Sequence, residues 1–435
     1  MTLSVIQLNR SNVMRKRADN VLYLFLFFLP MVWIQNKTIQ MAIELGVLIL
    51  MVAVEKKPNI NRIMIPVLLY TAVHIVSILY NIAISKETID NSRIIAAINT
   101  VFVWVLGCLT YSTVVRIKLN HRRIVKLMKF LYWVVFVECL LAVVVFCSGQ
   151  QIYINGRALY FLDWFNGADR VRSFCWMEYA SLVPFLLFCT LPYVYIGISG
   201  KKPVIRILMM ALSFVPLYLC NSRLGMVLVM ALIGYMSIRE MWKHKVLKVV
   251  LLAICFVAIF YGIVKINVVI GKVESLLGKL LFGRESSNIT RTMLYSLTWE
   301  KIKETSLLLG AGIKHITVIP DIPLGSHSTY LGAVYKAGFL GATFLFFFFG
   351  KITKKIYRMV RQKKLNAIFL VSLLGIFALM VMEDIDGANW MHFIFFIHLG
   401  IITNIVKEKD RLSNAGTNDN AAVFSTWRCN EQCSS

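Results

Sequence analysis

Apolar runs follow one another along the chain, separated mostly by short polar connectors. About 12 of them stand out, near 21–36, 38–54, 63–84, 94–115, 125–148, 176–197, 204–220, 224–238, 246–265, 327–350, 366–382 and 391–406. A bilayer core needs roughly 20 apolar residues in helical form, and an isolated span in lipid satisfies its backbone only as a helix. The pattern therefore predicts an all-α, polytopic membrane protein of about 12 transmembrane helices. Two connectors exceed a turn. One lies at 150–175 and the other, much longer, at 266–326. In the long one, Val269, Val273, Leu276, Leu277, Leu280 and Leu281 recur at helical spacing, with Lys272 and Lys279 off the stripe. That predicts an amphipathic helix lying on the membrane surface. A second helical pattern runs from about Thr290 to Thr305 and stops before Gly310.

The expected organisation follows from these runs. Residues 1–20 form a cytoplasmic N-terminus, and 21–265 hold nine transmembrane helices with the outer loop 150–175. Residues 266–326 make a large, partly helical extracytoplasmic loop. Residues 327–406 hold three more helices, and 407–435 a polar cytoplasmic tail without fixed structure. Arg10, Arg15, Lys16 and Arg17 precede the first run without a small-residue cleavage site after it, which reads as an uncleaved span.

Composition agrees. Hydrophobic residues make up 58% of the chain, against about 45–50% in soluble domains. The formal charge of +25 changes the picture only through its placement. Lys56, Lys57, Arg62, Arg116, Lys118, Arg122, Arg123, Lys201, Lys202, Arg239, Lys243 and the cluster Lys351–Lys364 all fall in alternate connectors, on the side of both termini. The positive-inside rule then places both ends in the cytoplasm. The charge is a topology signal with some attraction for anionic lipid, and a nucleic-acid partner is excluded. The nine cysteines sit mostly singly inside spans as small core residues. Cys429 and Cys433 alone do not make a zinc site, and neither a metal nor a cofactor is expected.

Several outward polar residues could carry chemistry. Arg223 lies at the tip of a hairpin with short arms, where an arginine is costly and therefore informative. Its guanidinium fork suits a phosphate, although snorkelling to lipid headgroups is the plainer reading. Arg170 and Arg172, with Glu178 soon after, sit among Tyr160, Phe161, Trp164 and Phe165, aromatics suited to sugar faces or to the membrane interface. Arg291 lies on the second helical pattern. Gly310-Ala311-Gly312 fits neither a dinucleotide nor a P-loop pattern and reads as a tight turn. His327 opens a span and is either a structural hydrogen-bonding group or a general base. Glu383, Asp384 and Asp386 read as a solvated turn, with a divalent-metal site as the sharper alternative. Within spans, Glu44, His74 and Glu138 are either packed, hydrogen-bonded groups or parts of a proton path.

The order of these segments carries a resemblance. Asn221-Ser222-Arg223-Leu224-Gly225 resembles the Ser-Arg-Gly segment of the O-antigen ligase and polymerase superfamily. Arg291 and Tyr295 followed by Gly310-Ala311-Gly312 resemble its arginine helix and Gly-x-Gly turn. Ser326-His327-Ser328-Thr329-Tyr330-Leu331, then Lys336-Ala337-Gly338-Phe339-Leu340-Gly341, is similar to its histidine block, with Ser328 where asparagine is common. Arg170 to Glu178 resembles the earlier outer arginine segment. The resemblance covers residues 170–350. It implies a metal-independent, GT-C-like glycosyltransferase in the bacterial cytoplasmic membrane, using undecaprenyl-diphosphate-linked oligosaccharide on the outer face. It assigns His327, Arg291 and Arg223 to catalysis, and Arg170, Arg172, Glu178, Gly310, Gly312 and Tyr330 to substrate binding. A polysaccharide polymerase is the first expectation, and a ligase moving glycan to a lipid or protein the second. A lipid-linked oligosaccharide flippase is the competing class. Membrane lipid, a flippase and a chain-length regulator are the implied partners.

Overall fold

The computed structural model describes residues 37–55, 60–84, 90–117, 119, 121–154, 157–165, 168–174, 183–198, 203–220, 222–242, 285–316 and 323–414. The spans expected at 21–36 and 246–265, the amphipathic helix from Val269, Glu178 and the end of the tail lie outside them. The described helices are α1 (Lys37–Glu55), α2 (Ile65–Ile84), α3 (Asn91–Val114), α4 (His121–Cys147), α5 (Val183–Gly197), α6 (Pro203–Ala211) and α7 (Phe214–Leu219). Then come α8 (Arg223–Trp242), α9 (Glu285–Thr305), α10 (Thr329–Arg361), α11 (Ile368–Leu379) and α12 (Asn389–Asn414). The helical membrane architecture read from hydropathy is what the chain adopts. Among the described residues five helices, α2, α3, α4, α10 and α12, are long and apolar enough to cross a membrane, and there are shorter apolar helices besides.

The faces of α4 show the environment. Val137, Leu140, Leu141 and Val144 are exposed, while Leu131, Val135, Cys139 and Ala142 on the opposite face are buried. An exposed apolar row of this kind is the lipid side of a span, where leaving it uncovered carries no hydrophobic penalty. Helix α12 is buried all round across its apolar stretch and packs along α3, while α10 packs along α2 and α4 along α5. Small residues set the spacing of the α3–α12 contact. A Cβ at Gly107 would fall 2.6 Å from the His392 ring, and one at Gly400 would fall 2.8 Å from the Val114 side chain.

Three features depart from the hydropathy reading. The connector at 150–175 carries two small antiparallel hairpins, β1 (Tyr153–Ile154) with β2 (Arg157–Ala158), and β3 (Tyr160–Phe165) with β4 (Ala168–Phe174). Its aromatic residues favour strands, and Asn-Gly at 166–167 in the sequence is a hairpin signal. Helix α12 continues to Asn414, past the expected boundary at 407. The span expected at 327–350 belongs to a longer helix with a break: Ala337 (φ −138°) and Gly338 (φ +61°, ψ −172°) leave helical geometry inside α10.

The break is where the long loop enters the bundle. In a membrane, backbone groups freed from a helix need partners from the protein. The segment after α9 provides them. Ala311 N–H donates to the Tyr335 carbonyl (2.7 Å), Phe339 N–H to Leu307 (3.0 Å) and Leu340 N–H to Leu308 (3.3 Å).

Candidate functional site

Helix α9 buries Leu294, Thr298 and Ile302, positions 4 apart that define one face. Arg291, Tyr295 and Thr298 follow the i, i+4, i+7 spacing of that face, and each engages a different part of the chain. Thr298 Oγ1 accepts from Gly325 N–H (3.1 Å). Tyr295 Oη donates to the His327 carbonyl (2.9 Å), and burial raises its phenol above the usual range. Arg291 Nη2 lies 3.5 Å from Glu383 Oε1. The arginine helix, the histidine turn and the acidic turn thus meet along about two turns of α9.

His327 has φ +63°, a left-handed conformation that costs a non-glycine residue roughly 1–2 kcal/mol. The surroundings hold it there. Its carbonyl is taken by Tyr295, and two residues on Thr329 N–H donates to both Met380 O (2.9 Å) and Glu383 O (3.0 Å). Thr329 Oγ1 also donates to Glu383 O and accepts from Ile385 N–H. Ser328 caps α10, its side chain accepting from Leu331 N–H (3.3 Å). Serine serves this cap as well as the more common asparagine does. Strain imposed from several directions at one residue is characteristic of functional positions.

Gly310 and Gly312 are buried and serve as turn-formers. Both have positive φ, +76° and +67°. A Cβ at Gly310 would fall 2.5 Å from the Tyr335 carbonyl, and one at Gly312 2.8 Å from the Ile78 nitrogen. Their carbonyls are already engaged. Asn81 Nδ2 and Ser77 Oγ donate to Gly310 O (3.1 and 3.4 Å), and His74 Nε2 donates to Gly312 O (2.9 Å). The contacts of these two glycines in the structure are structural ones, within the turn and to α2 and α10. His74 is accordingly a packed, hydrogen-bonded histidine that ties the loop to α2.

The acidic turn is not solvated. Asp384 and Asp386 are 8% and 7% exposed. Lys336, 2% exposed, lies 2.6 Å from Asp386 Oδ2 and 3.7 Å from Asp384 Oδ1. Lys314 lies 2.8 Å from Asp384 Oδ2, and Trp104 Nε1 donates to Asp386 Oδ2 (2.8 Å). Burial pushes the Asp384 carboxyl above the usual range, and the neighbouring Asp386 charge adds to this. Burial acts the same way on Asp386, but the Lys336 and Lys314 charges and the carboxylate's hydrogen bonds together outweigh it and hold that carboxyl low. The two carboxylates are thus engaged by two lysines, and among the described residues no group of three or more His, Cys, Asp or Glu is arranged to hold a metal ion.

The remaining candidates are placed as follows. Arg223 is half-buried and is the first residue of α8. Gly225, in the same turn, lets α8 approach α5, since a Cβ there would collide with Pro184. The Glu383 carboxylate lies within electrostatic reach of Cys220, three residues before Arg223. Arg170 and Arg172 are on β4, with Arg170 opposite Asp163. Tyr330 points into the helices, its hydroxyl donating to Phe377 O (2.8 Å) and its ring packing on Phe346 and Phe349. These are packing contacts. Sequence reasoning gave no role to Lys314, and took Glu383 and Lys336 only as members of the acidic turn and the histidine block. The available signal was Lys336 itself, a lone charge inside an apolar run.

No curated protein matches the chain. A family model described as O-antigen ligase matches residues 208–347. That stretch runs from α6 through Arg223, α9, the glycine turn and His327 into the second half of α10, and over these residues the chain is similar to that family.

Proposed function

We propose that the chain is a polysaccharide polymerase that joins undecaprenyl-diphosphate-linked oligosaccharide repeat units on the outer face of the bacterial cytoplasmic membrane. The observation that carries this reading is the convergence of Arg291, Tyr295, His327 and Glu383 at the junction of α9 and α10. Breaking the glycosidic bond to a lipid diphosphate moves negative charge onto the leaving group. Arg291 and Arg223 stabilise that charge, without a required metal ion. Arg170 and Arg172 on β4 contact the diphosphate or an acidic sugar. His327 takes the proton of the attacking sugar hydroxyl, and the strained turn directs its side chain while Tyr295 holds its backbone. The basic connectors and both termini face the cytoplasm. The segment 266–326 is the outer loop that contributes Arg291 to the site.

The test is incubation of the purified chain, in the presence of a chelator, with a lipid-linked repeat unit. A ladder of products supports the polymerase. A single transfer to a lipid or protein acceptor assigns the same site to a ligase. Movement of labelled substrate across proteoliposomes with no new glycosidic bond refutes both.

A further inference from the structure

We infer that Glu383 is the positioning residue for Arg291, its carboxylate pinning one edge of the guanidinium and leaving the other donors for phosphate oxygens. The inference rests on the proposed lipid-diphosphate substrate. The guanidinium has five N–H donors in a rigid fork, and Glu383 Oε1 faces Nη2 at 3.5 Å. Of the pair, Glu383 is the fixed member. Its side chain is 14% exposed against 32% for Arg291, and its carbonyl accepts from both Thr329 N–H and Thr329 Oγ1. The next residue, Asp384, is tied to Lys314, and Asp386 is tied to Lys336. The backbone under the carboxylate is therefore bolted to α10, while Arg291 stands on a surface helix.

Position strengthens the argument. The carboxylate lies within electrostatic reach of Tyr295, one turn from Arg291, and of Cys220, just before Arg223. It stands where the arginine helix and the histidine turn meet. A single flexible arginine loses rotamer freedom when it binds an anion. An arginine already held by a partly buried carboxylate has lost part of that freedom beforehand, which favours binding and geometry alike.

The experiment measures undecaprenyl diphosphate binding to the full chain, as wild type and as E383A, E383Q, R291A and R291A/E383A. E383A is expected to weaken binding by about tenfold, the scale of one charge-assisted hydrogen bond. E383Q, which keeps an acceptor for Nη2, is expected to stay within about threefold of wild type. In the R291A background E383A is expected to change binding less than about twofold, because its effect passes through Arg291. Equal losses from E383A in both backgrounds, or E383Q behaving as E383A, would overturn the inference, as would unchanged binding in E383A. Glycan transfer is scored separately. Coupled binding without transfer sinks the transferase reading and leaves the positioning role standing. Transfer with uncoupled binding does the reverse.

Discussion

Removing the Asp386 charge by Asp386→Asn leaves the Lys336 ammonium, 2% exposed, without its nearest counter-charge. Stranding one member of a buried ion pair typically destabilises by about 3–5 kcal/mol. Lys336 keeps Asp384 at 3.7 Å as a second carboxylate, so the loss should fall near the lower end, about 3 kcal/mol. Asparagine also keeps an oxygen for Trp104 Nε1, which limits the effect to the charge. Pairing the change with Lys336→Met removes the stranded ammonium. The double variant should then recover to within about 1.5 kcal/mol of wild type, since apolar replacement of a buried pair is close to neutral. Equilibrium unfolding in detergent micelles, followed by tryptophan fluorescence, measures all three. A single variant within about 1 kcal/mol of wild type, or a double variant as unstable as the sum of its singles, would refute the network as described.

Four further outcomes follow from the same geometry. Gly312→Ala must fit a side chain at φ +67° and 2.8 Å from the Ile78 nitrogen; a loss of about 2–4 kcal/mol in the same unfolding assay is expected. His74→Phe leaves the buried Gly312 carbonyl without its donor and should cost about 1–3 kcal/mol, whereas His74→Gln should lose less. His327→Gly relieves a left-handed residue. It should leave the melting temperature unchanged or raised while lowering transfer about 10²–10⁴-fold, the scale of a general base. Because Asp386 is held below the usual carboxylate range, its contribution is full above about pH 4 and is lost as pH falls further. The stability difference between wild type and D386N should therefore shrink below about pH 4.

Hydropathy made the helices legible because span length and lipid-facing rows are written locally, as on α4. The break in α10 was not legible. Ala337 and Gly338 sit inside a run that hydropathy treats as continuous, and the break exists because residues 307–311 supply its missing partners. That pairing depends on a contact across more than twenty residues of sequence. The acidic turn misled for the same reason. Asp384 and Asp386 look like a solvated connector until Lys336 and Lys314 arrive from elsewhere. The histidine block and arginine helix were legible as motifs, and the structure adds the contacts joining them, Tyr295 to His327 and Arg291 to Glu383. The hairpins at 153–174 had a local signal in Asn-Gly, overshadowed by the expectation of a plain connector between helices.

In the proposed reaction Arg291 and His327 act together on a lipid-diphosphate glycan. Its most direct test is the rate of glycosidic bond formation from an undecaprenyl-diphosphate-linked repeat unit, comparing wild type with Arg291→Ala and His327→Ala of verified fold. Bond formation by wild type and a loss of at least about 10²-fold in each variant are expected. Full rate and full product length in either variant would contradict it.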